Sequence, residues 1–121
     1  MTENNGLLVA RAYHRAWSTR DHASAGPLLS DDLRVEVPIN SYAGKADFLE
    51  AVRRTAEMTS TVELLAALGS DDEALLLYDM TLPIGRLRVA EHFTVNDGRI
   101  QRIRQVHDTA ALRAAGFGSQ G

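Results

Sequence analysis

The chain has 121 residues, a length that fits one domain with one hydrophobic core. Its formal net charge of −3 gives no reason to expect nucleic acid or a membrane surface as a partner, and the lack of cysteine excludes disulfides and thiolate metal sites. No apolar run approaches the roughly 18 residues of a membrane span, and the polar N-terminus lacks a signal-peptide pattern, so we expect a cytoplasmic protein.

The N-terminal half carries helical patterns. A first helix, capped by Asn4 or Asn5, is predicted to run to about Thr19, because apolar residues recur there at helical spacing: Val9, Ala12, Tyr13, Ala16 and Trp17. His14 lies off this stripe and is expected in solvent. A short second helix should lead to Leu28 and Leu29.

One strand pattern interrupts these helices. Leu33 to Val37 alternates apolar and charged residues and stops at Pro38, which predicts a half-buried strand. After a loop over residues 39–44, Lys45 to about Met58 predicts a third helix. Its inner face should carry Phe48, Leu49, Val52 and Ala56.

The C-terminal half is dominated by strand patterns with hairpin-sized turns. The predicted strands are Thr61–Leu68, Ala74–Leu82, Leu87–Val95 and Arg99–His107. A short helical turn should follow over Thr109–Ala115, and we expect residues 1–5 and 116–121 to fray. Early helices followed by a run of strands predict an α+β fold with a curved, mixed or antiparallel sheet.

Several short segments in this order resemble one known group of proteins. They are Tyr13, Trp17 and Asp21 at intervals of four, Leu28-Leu29-Ser30-Asp31-Asp32, Val35-Glu36-Val37-Pro38, Gly44-Lys45, Phe93 to Ile100, and Val106-His107-Asp108. Together they resemble the nuclear-transport-factor-two-like superfamily, and within it the SnoaL-like polyketide cyclases and ketosteroid isomerases. The resemblance implies a cone-shaped cystatin-like roll, in which three helices of the N-terminal half and the sheet enclose one pocket, commonly in a homodimer.

The isomerases provide the first set of implied roles. Tyr13 matches their first-helix tyrosine, and Glu91 matches the carboxyl that the isomerases keep neutral, for which ketosteroid isomerase is the established example. Their base precedes the proline of Val35-Glu36-Val37-Pro38, where this chain has Val37. Valine cannot accept a proton, and Glu36 points to the opposite face of a strand, so that mechanism is disfavoured.

Two other reactions of the superfamily fit unequally. The epoxide hydrolases need an Asp-Arg-Asp set, whose arginine and second aspartate align with Val89 and Gln105 here. Two of the three charged groups are therefore missing, and this reaction is disfavoured. The cyclases use an aspartate near the end of the last strand, which Asp108 resembles, and a histidine near the position of His92. Cyclisation is therefore the least contradicted reaction.

The register of the last hairpin decides which side chains share the interior face. A two-residue loop, Asp97-Gly98, would put Glu91 opposite Arg104, whereas a three-residue loop would put it opposite Ile103. We favour the three-residue loop, with Arg86 or Arg88 reaching Asp108 outside. It places these residues inside: Glu91, Phe93, Gln101, Ile103, Gln105 and His107.

From these observations we predict a small-molecule acid/base enzyme, cyclase- or isomerase-like, that acts on a hydrophobic carbonyl compound. The alternative is a non-catalytic ligand-binding or dimerisation domain, in which Glu91 pairs with Arg104 or Arg102 and Tyr13 and Trp17 belong to the core. The predicted catalytic residues are Glu91, His107, Tyr13 and Asp108. The predicted ligand-binding residues are Trp17, Val37, Phe93, Ile103, Gln105 and Tyr78. We predict no cofactor and no metal, because the histidines lack ligand spacing.

Overall fold

A computed structural model describes residues 4–39 and 42–116 of the chain. The helices are α1 (Asn5–Ser18), α2 (His22–Ala25), α3 (Lys45–Met58) and α4 (Ala110–Ala114), with a 3-10 turn at Gly26–Leu28. The strands are β1 (Leu29–Glu36), β2 (Thr61–Gly69), β3 (Glu73–Leu82), β4 (Gly85–Asn96) and β5 (Arg99–His107). This arrangement confirms the predicted α+β fold. Residues 1–3 and 117–121 of the predicted frayed ends lie outside the described residues, as does part of the loop after Pro38.

The five strands form one mixed sheet in the order β1-β5-β4-β3-β2. The pairs from β2 to β5 are antiparallel, and β1 runs parallel to β5. β1 begins at Leu29, four residues before the predicted start at Leu33, because Leu29 pairs with Ile100 ahead of a bulge. Both of these side chains are fully buried, so the pairing brings the start of β1 into the core.

Helix α1 covers one face of the sheet and contacts β2 to β5. Its buried stripe includes Ala10 and His14, whereas Ala12 is exposed. The prediction of an exposed His14 was therefore wrong: the stripe is wider than the one read from the apolar residues. Gly6 allows α1 to approach the sheet this closely, since a Cβ there would lie 2.7 Å from the backbone nitrogen of Glu73.

The turn between β4 and β5 contains two residues, Asp97 and Gly98, with φ angles of 53° and 76°. Positive φ at both positions suits the right-handed twist of the flanking strands. A bulge at Gln101 then shifts the register by one residue, so Glu91 lies opposite Gln105. Neither predicted register is correct.

The bulge preserves most of the predicted interior face. Glu91 and Gln105 are paired, and the alternation of side chains along each strand places Phe93, Ile103 and His107 on the same face. The favoured three-residue loop also predicted these residues inside. Gln101 is the exception, because it falls at the bulge and Ile100 occupies the buried position beside it.

The outer face of the sheet carries an ion pair that differs from the predicted one. Arg88 donates to both carboxylate oxygens of Asp79, at 2.7 and 2.9 Å, and does not reach toward Asp108. This bidentate contact holds the pKa of Asp79 below its usual value. Across residues 4–39 and 42–116, no helix has the length and apolar character needed to cross a membrane.

Candidate active site

A cavity of about 150 Å³ lies between the covered face of the sheet and helices α1, α3 and α4. All three tyrosines and the only tryptophan of the chain line it. The aromatic lining consists of Tyr13, Trp17, Tyr42, Phe48 and Tyr78. The aliphatic lining consists of Val37, Ile39, Ala51, Val52, Met58, Met80, Leu82, Leu87, Val89 and Leu112, and the polar lining of Thr55, Glu91, Gln105 and His107.

Glu91 is the acidic group of this cavity, and the alternation of β4 places it there. Val89, Glu91 and Phe93 occupy successive inward positions of the strand, and all three are buried. Only 1% of Glu91 is exposed. The possible partners Arg102 and Arg104 lie on the opposite face of the hairpin, where Arg104 contacts His92 at 3.2 Å, so the predicted pairing of Glu91 with an arginine was wrong.

Two neutral side chains hold the Glu91 carboxyl. The Tyr78 hydroxyl donates to Oε1 at 3.1 Å, and Gln105 Nε2 donates to Oε2 at 2.8 Å. Burial raises the pKa of Glu91 to about 7, although both hydrogen bonds act to lower it. Desolvation is therefore the larger effect, and the carboxyl can exist in both protonation states near neutral pH.

Tyr13 adds a hydroxyl to the same cavity. Its ring meets Phe93 edge-on with the centroids 6.0 Å apart, and only 1% of the residue is exposed. Burial, reinforced by the charge of nearby Glu91, raises the pKa of Tyr13 well above its usual value. A protonated phenol is therefore available as a donor to a ligand.

His107 contributes an imidazole that is half-buried at the end of β5. Its Nδ1 lies 3.1 Å from the backbone oxygen of Asp108. A carbonyl oxygen can only accept, so this contact requires the proton on Nδ1 and leaves the lone pair of the neutral ring on Nε2.

The structure brings seven of the ten predicted site residues to the cavity. These are Tyr13, Trp17, Val37, Tyr78, Glu91, Gln105 and His107. Phe93 and Ile103 are fully buried on the same face but pack in the core and do not line the cavity. Asp108 is exposed, and its Oδ1 accepts from the backbone nitrogen of Ala110 at 3.0 Å, which places it at the start of α4.

Some lining residues were not among the predicted site residues. Phe48 and Val52 lie on the predicted inner face of the third helix, so helical spacing could have identified them. Tyr42 comes from a loop and Leu112 from the short C-terminal helix, and no local pattern indicates that either meets the sheet. Within the described part of the chain, no three histidine or acidic side chains converge in a way that could hold a metal ion.

Comparison with known proteins agrees with this architecture. The model of the SnoaL-like domain matches residues 10–103, which is most of the chain. The chain belongs to the SnoaL-like family. The sequence of this SnoaL-like protein matches no curated protein.

Solved structures similar to this SnoaL-like protein share its fold along most of their length. A protein from Kribbella flavida is 32% identical, with a TM-score of 0.85 over 91% of this chain and 92% of that one. A candidate ketosteroid isomerase from the same organism is 23% identical, with a TM-score of 0.77 over 88% and 79%. A candidate polyketide cyclase from Sinorhizobium meliloti is 23% identical, with a TM-score of 0.70 over 81% and 93%.

Proposed function

We propose that this SnoaL-like protein is an acid/base enzyme that acts on a small hydrophobic carbonyl compound. One observation carries the proposal: Glu91 is a fully buried carboxyl with a pKa of about 7 that faces an apolar cavity next to the Tyr13 hydroxyl. A group that titrates close to the working pH is suited to both taking and returning a proton.

The proposed reaction begins with the carbonyl oxygen of the ligand at the Tyr13 hydroxyl. Ionised Glu91 removes a proton from the carbon next to the carbonyl, and Tyr13 donates a hydrogen bond to the enolate oxygen that forms. In an isomerisation, the protonated Glu91 returns the proton to another carbon of the ligand. In a cyclisation, the enolate carbon attacks a second carbonyl, and the proton goes to the alkoxide. Neither path changes the oxidation state of the ligand as a whole.

The identity of the base separates this proposal from the isomerase pattern. Val37 lines the cavity where the resemblance implies a basic carboxylate, so proton abstraction would fall to Glu91. Tyr78 and Gln105 support this role because both hydrogen bonds favour the ionised form of Glu91. The candidate isomerase and cyclase among the similar structures are consistent with a reaction of this class.

His107 is the second candidate for proton transfer. It lines the same cavity, and the lone pair on its Nε2 could accept a proton from a ligand or from water. We assign it the secondary role because it is half-buried, whereas Glu91 is almost completely withdrawn from water.

The test is exchange of the α-protons of cyclohexanone in D₂O, followed by proton NMR. We expect catalysed exchange by the native protein and a loss of two orders of magnitude or more in Glu91→Gln, which keeps the shape of the side chain. His107→Ala tests the secondary role of His107 in the same assay. His92→Ala, on the opposite face of the sheet, is its matched control. Equal rates for the native protein and Glu91→Gln would contradict the role of Glu91.

Val37 also favours a second candidate function, a non-catalytic binding domain. The residue lines the cavity but cannot transfer a proton, so the cavity lacks the base that the isomerase pattern requires. In this case a carbonyl compound binds to the native protein and to Glu91→Gln with similar affinity, and neither protein accelerates proton exchange.

We further propose that two copies associate through the outer face of the sheet. One cross-strand row there is apolar, running from Ala66 through Leu77 and Ala90 to Val106. Val106 is 70% exposed, as is Leu68 on the neighbouring row. An exposed apolar row with charged side chains beside it is typical of a protein interface.

Sedimentation of Val106→Glu tests this association. We expect a dimer for the native protein and a monomer for the variant, because a buried carboxylate in each copy opposes the contact. Leu8→Glu is the control, since Leu8 is 62% exposed on α1. A native protein that stays monomeric at every concentration would contradict the proposal.

A further inference from the structure

We propose that the ligand of this cavity is a neutral compound with a single ring, of about six to ten non-hydrogen atoms, and that compounds with fused rings bind less tightly. This inference rests on the proposed function, since it takes the cavity that contains Glu91 as the ligand site. It defines the substrate class by size and charge.

The volume of the cavity sets the size limit. The space amounts to about 150 Å³. An engineered apolar cavity of about that volume in another protein binds benzene, whereas sites for drug-sized ligands occupy roughly 300–1,000 Å³. One six-membered ring with a carbonyl group fills such a space, and a second fused ring would have to displace the walls or remain partly outside the cavity.

The wall on the side of α1 is poorly suited to such displacement. Trp17 and Tyr78 lie against each other with ring centroids 5.7 Å apart. Behind them, His14 contacts both rings, at 5.4 Å from Trp17 and 4.8 Å from Tyr78. Each of these three side chains is at least 94% buried, so none can move outward without disturbing the core.

The opposite side of the cavity is also lined by packed side chains. Tyr42 and Phe48 meet edge-on with centroids 5.4 Å apart, and Phe48 is 2% exposed. Leu112 of α4 also lines the cavity and is 8% exposed. Because α4 has only five residues, shortening Leu112 should enlarge the cavity with little effect on the rest of the fold.

The charge of the lining selects a neutral ligand. Glu91 is a lining carboxyl, and no lysine or arginine is among the described residues that line the cavity. A ligand carboxylate would meet the ionised form of Glu91, and no permanently charged cation among the described lining residues would offset the repulsion. A neutral carbonyl oxygen, in contrast, can accept from Tyr13 without such repulsion.

Trp17 provides the readout, because it is the only tryptophan of the chain and lines the cavity. Its fluorescence would be titrated with cyclohexanone, with the two-ring ketone 2-tetralone, with a four-ring steroid ketone and with cyclohexanecarboxylate. We expect saturable quenching by cyclohexanone, at least tenfold weaker binding of 2-tetralone, and no specific binding of the other two. In Leu112→Ala, the affinity for 2-tetralone should rise at least threefold relative to that for cyclohexanone, whereas Leu8→Ala, at an exposed position of α1, should change neither.

The outcomes separate the size limit from the proposed reaction. Binding of 2-tetralone or the steroid as tight as that of cyclohexanone would overturn the size limit, even if proton exchange depends on Glu91. Tight binding of cyclohexanecarboxylate would overturn the inference that the ligand is neutral. Selective binding of cyclohexanone without proton exchange would support the size limit and contradict the enzyme. No response to any of the four compounds would overturn both.

Discussion

We expect Glu91→Gln to stabilise the protein at alkaline pH and to do so much less in acid. In the native protein, burial raises the pKa of Glu91 from 4.5 to about 7. The folded state therefore holds a proton that the unfolded chain releases between these two values. Stability due to this group is fully present below pH 4.5 and is lost as the pH rises through 7. Glutamine in its place removes the titration.

The magnitude follows from the pKa difference. A shift of one pKa unit corresponds to about 1.4 kcal/mol, so ionising Glu91 in the folded state costs about 3 kcal/mol at pH 8 and about 1 kcal/mol at pH 5. The free energy of unfolding of Glu91→Gln, relative to the native protein, should therefore rise by about 2 kcal/mol from pH 5 to pH 8. Rearranged hydrogen bonds around the new amide add a constant that cancels in this comparison.

Urea unfolding of both proteins at the two pH values provides the measurement. His14, whose pKa burial lowers to about 4, weakens both proteins as the pH falls from about 6.5, so its effect also cancels. Glu36→Gln is the matched control, because Glu36 is exposed and its replacement should change the free energy of unfolding by less than about 0.5 kcal/mol. A difference between the native protein and Glu91→Gln that stays constant with pH, or that grows in acid, would show that the folded state does not raise the pKa of Glu91.

Three further changes test the surroundings of the cavity. Tyr78→Phe removes a donor to the Glu91 carboxylate and should raise the pKa of Glu91 by about one unit, which a carboxyl-carbon NMR titration detects; an unchanged midpoint would show that the hydrogen bond does not act on Glu91. Arg20→Ala removes two hydrogen bonds to backbone oxygens at the end of α3, both 3.1 Å long, and should cost about 1 kcal/mol in urea unfolding, with Arg20→Lys recovering only part of the loss. Gly98→Ala places a side chain at a φ of 76° and should cost about 1 kcal/mol, and an unaffected midpoint would contradict the turn geometry.

The sequence predicted the elements well because their hydrophobic patterns are long. Alternation over β3 and β4 indicates which side chains point inward, and this parity alone brings Tyr78 and Glu91 to one face. It depends on neither the turn nor the neighbouring strand. The face of Glu91 was therefore predictable even though its cross-strand neighbour was not.

Register and helix rotation depend on tertiary packing, and both predictions failed for that reason. The bulge at Gln101 follows an ordinary two-residue turn, and nothing in its local sequence distinguishes it from a regular strand. His14 is buried because α1 packs it against Tyr78 of β3, beside Trp17 of the same helix, and a stripe of purely apolar residues does not include it. Asp108 lies one residue beyond β5, where the chain leaves the sheet and turns into α4.

The most direct test is the titration of the Glu91 carboxyl carbon by NMR, in the free protein and with cyclohexanone bound. We expect a midpoint at about pH 7 in the free protein, together with a change in that midpoint when the ligand occupies the cavity. A midpoint near 4.5, unaffected by the ligand, would show that water solvates this carboxyl and that Glu91 is not the proton-transfer group of the cavity.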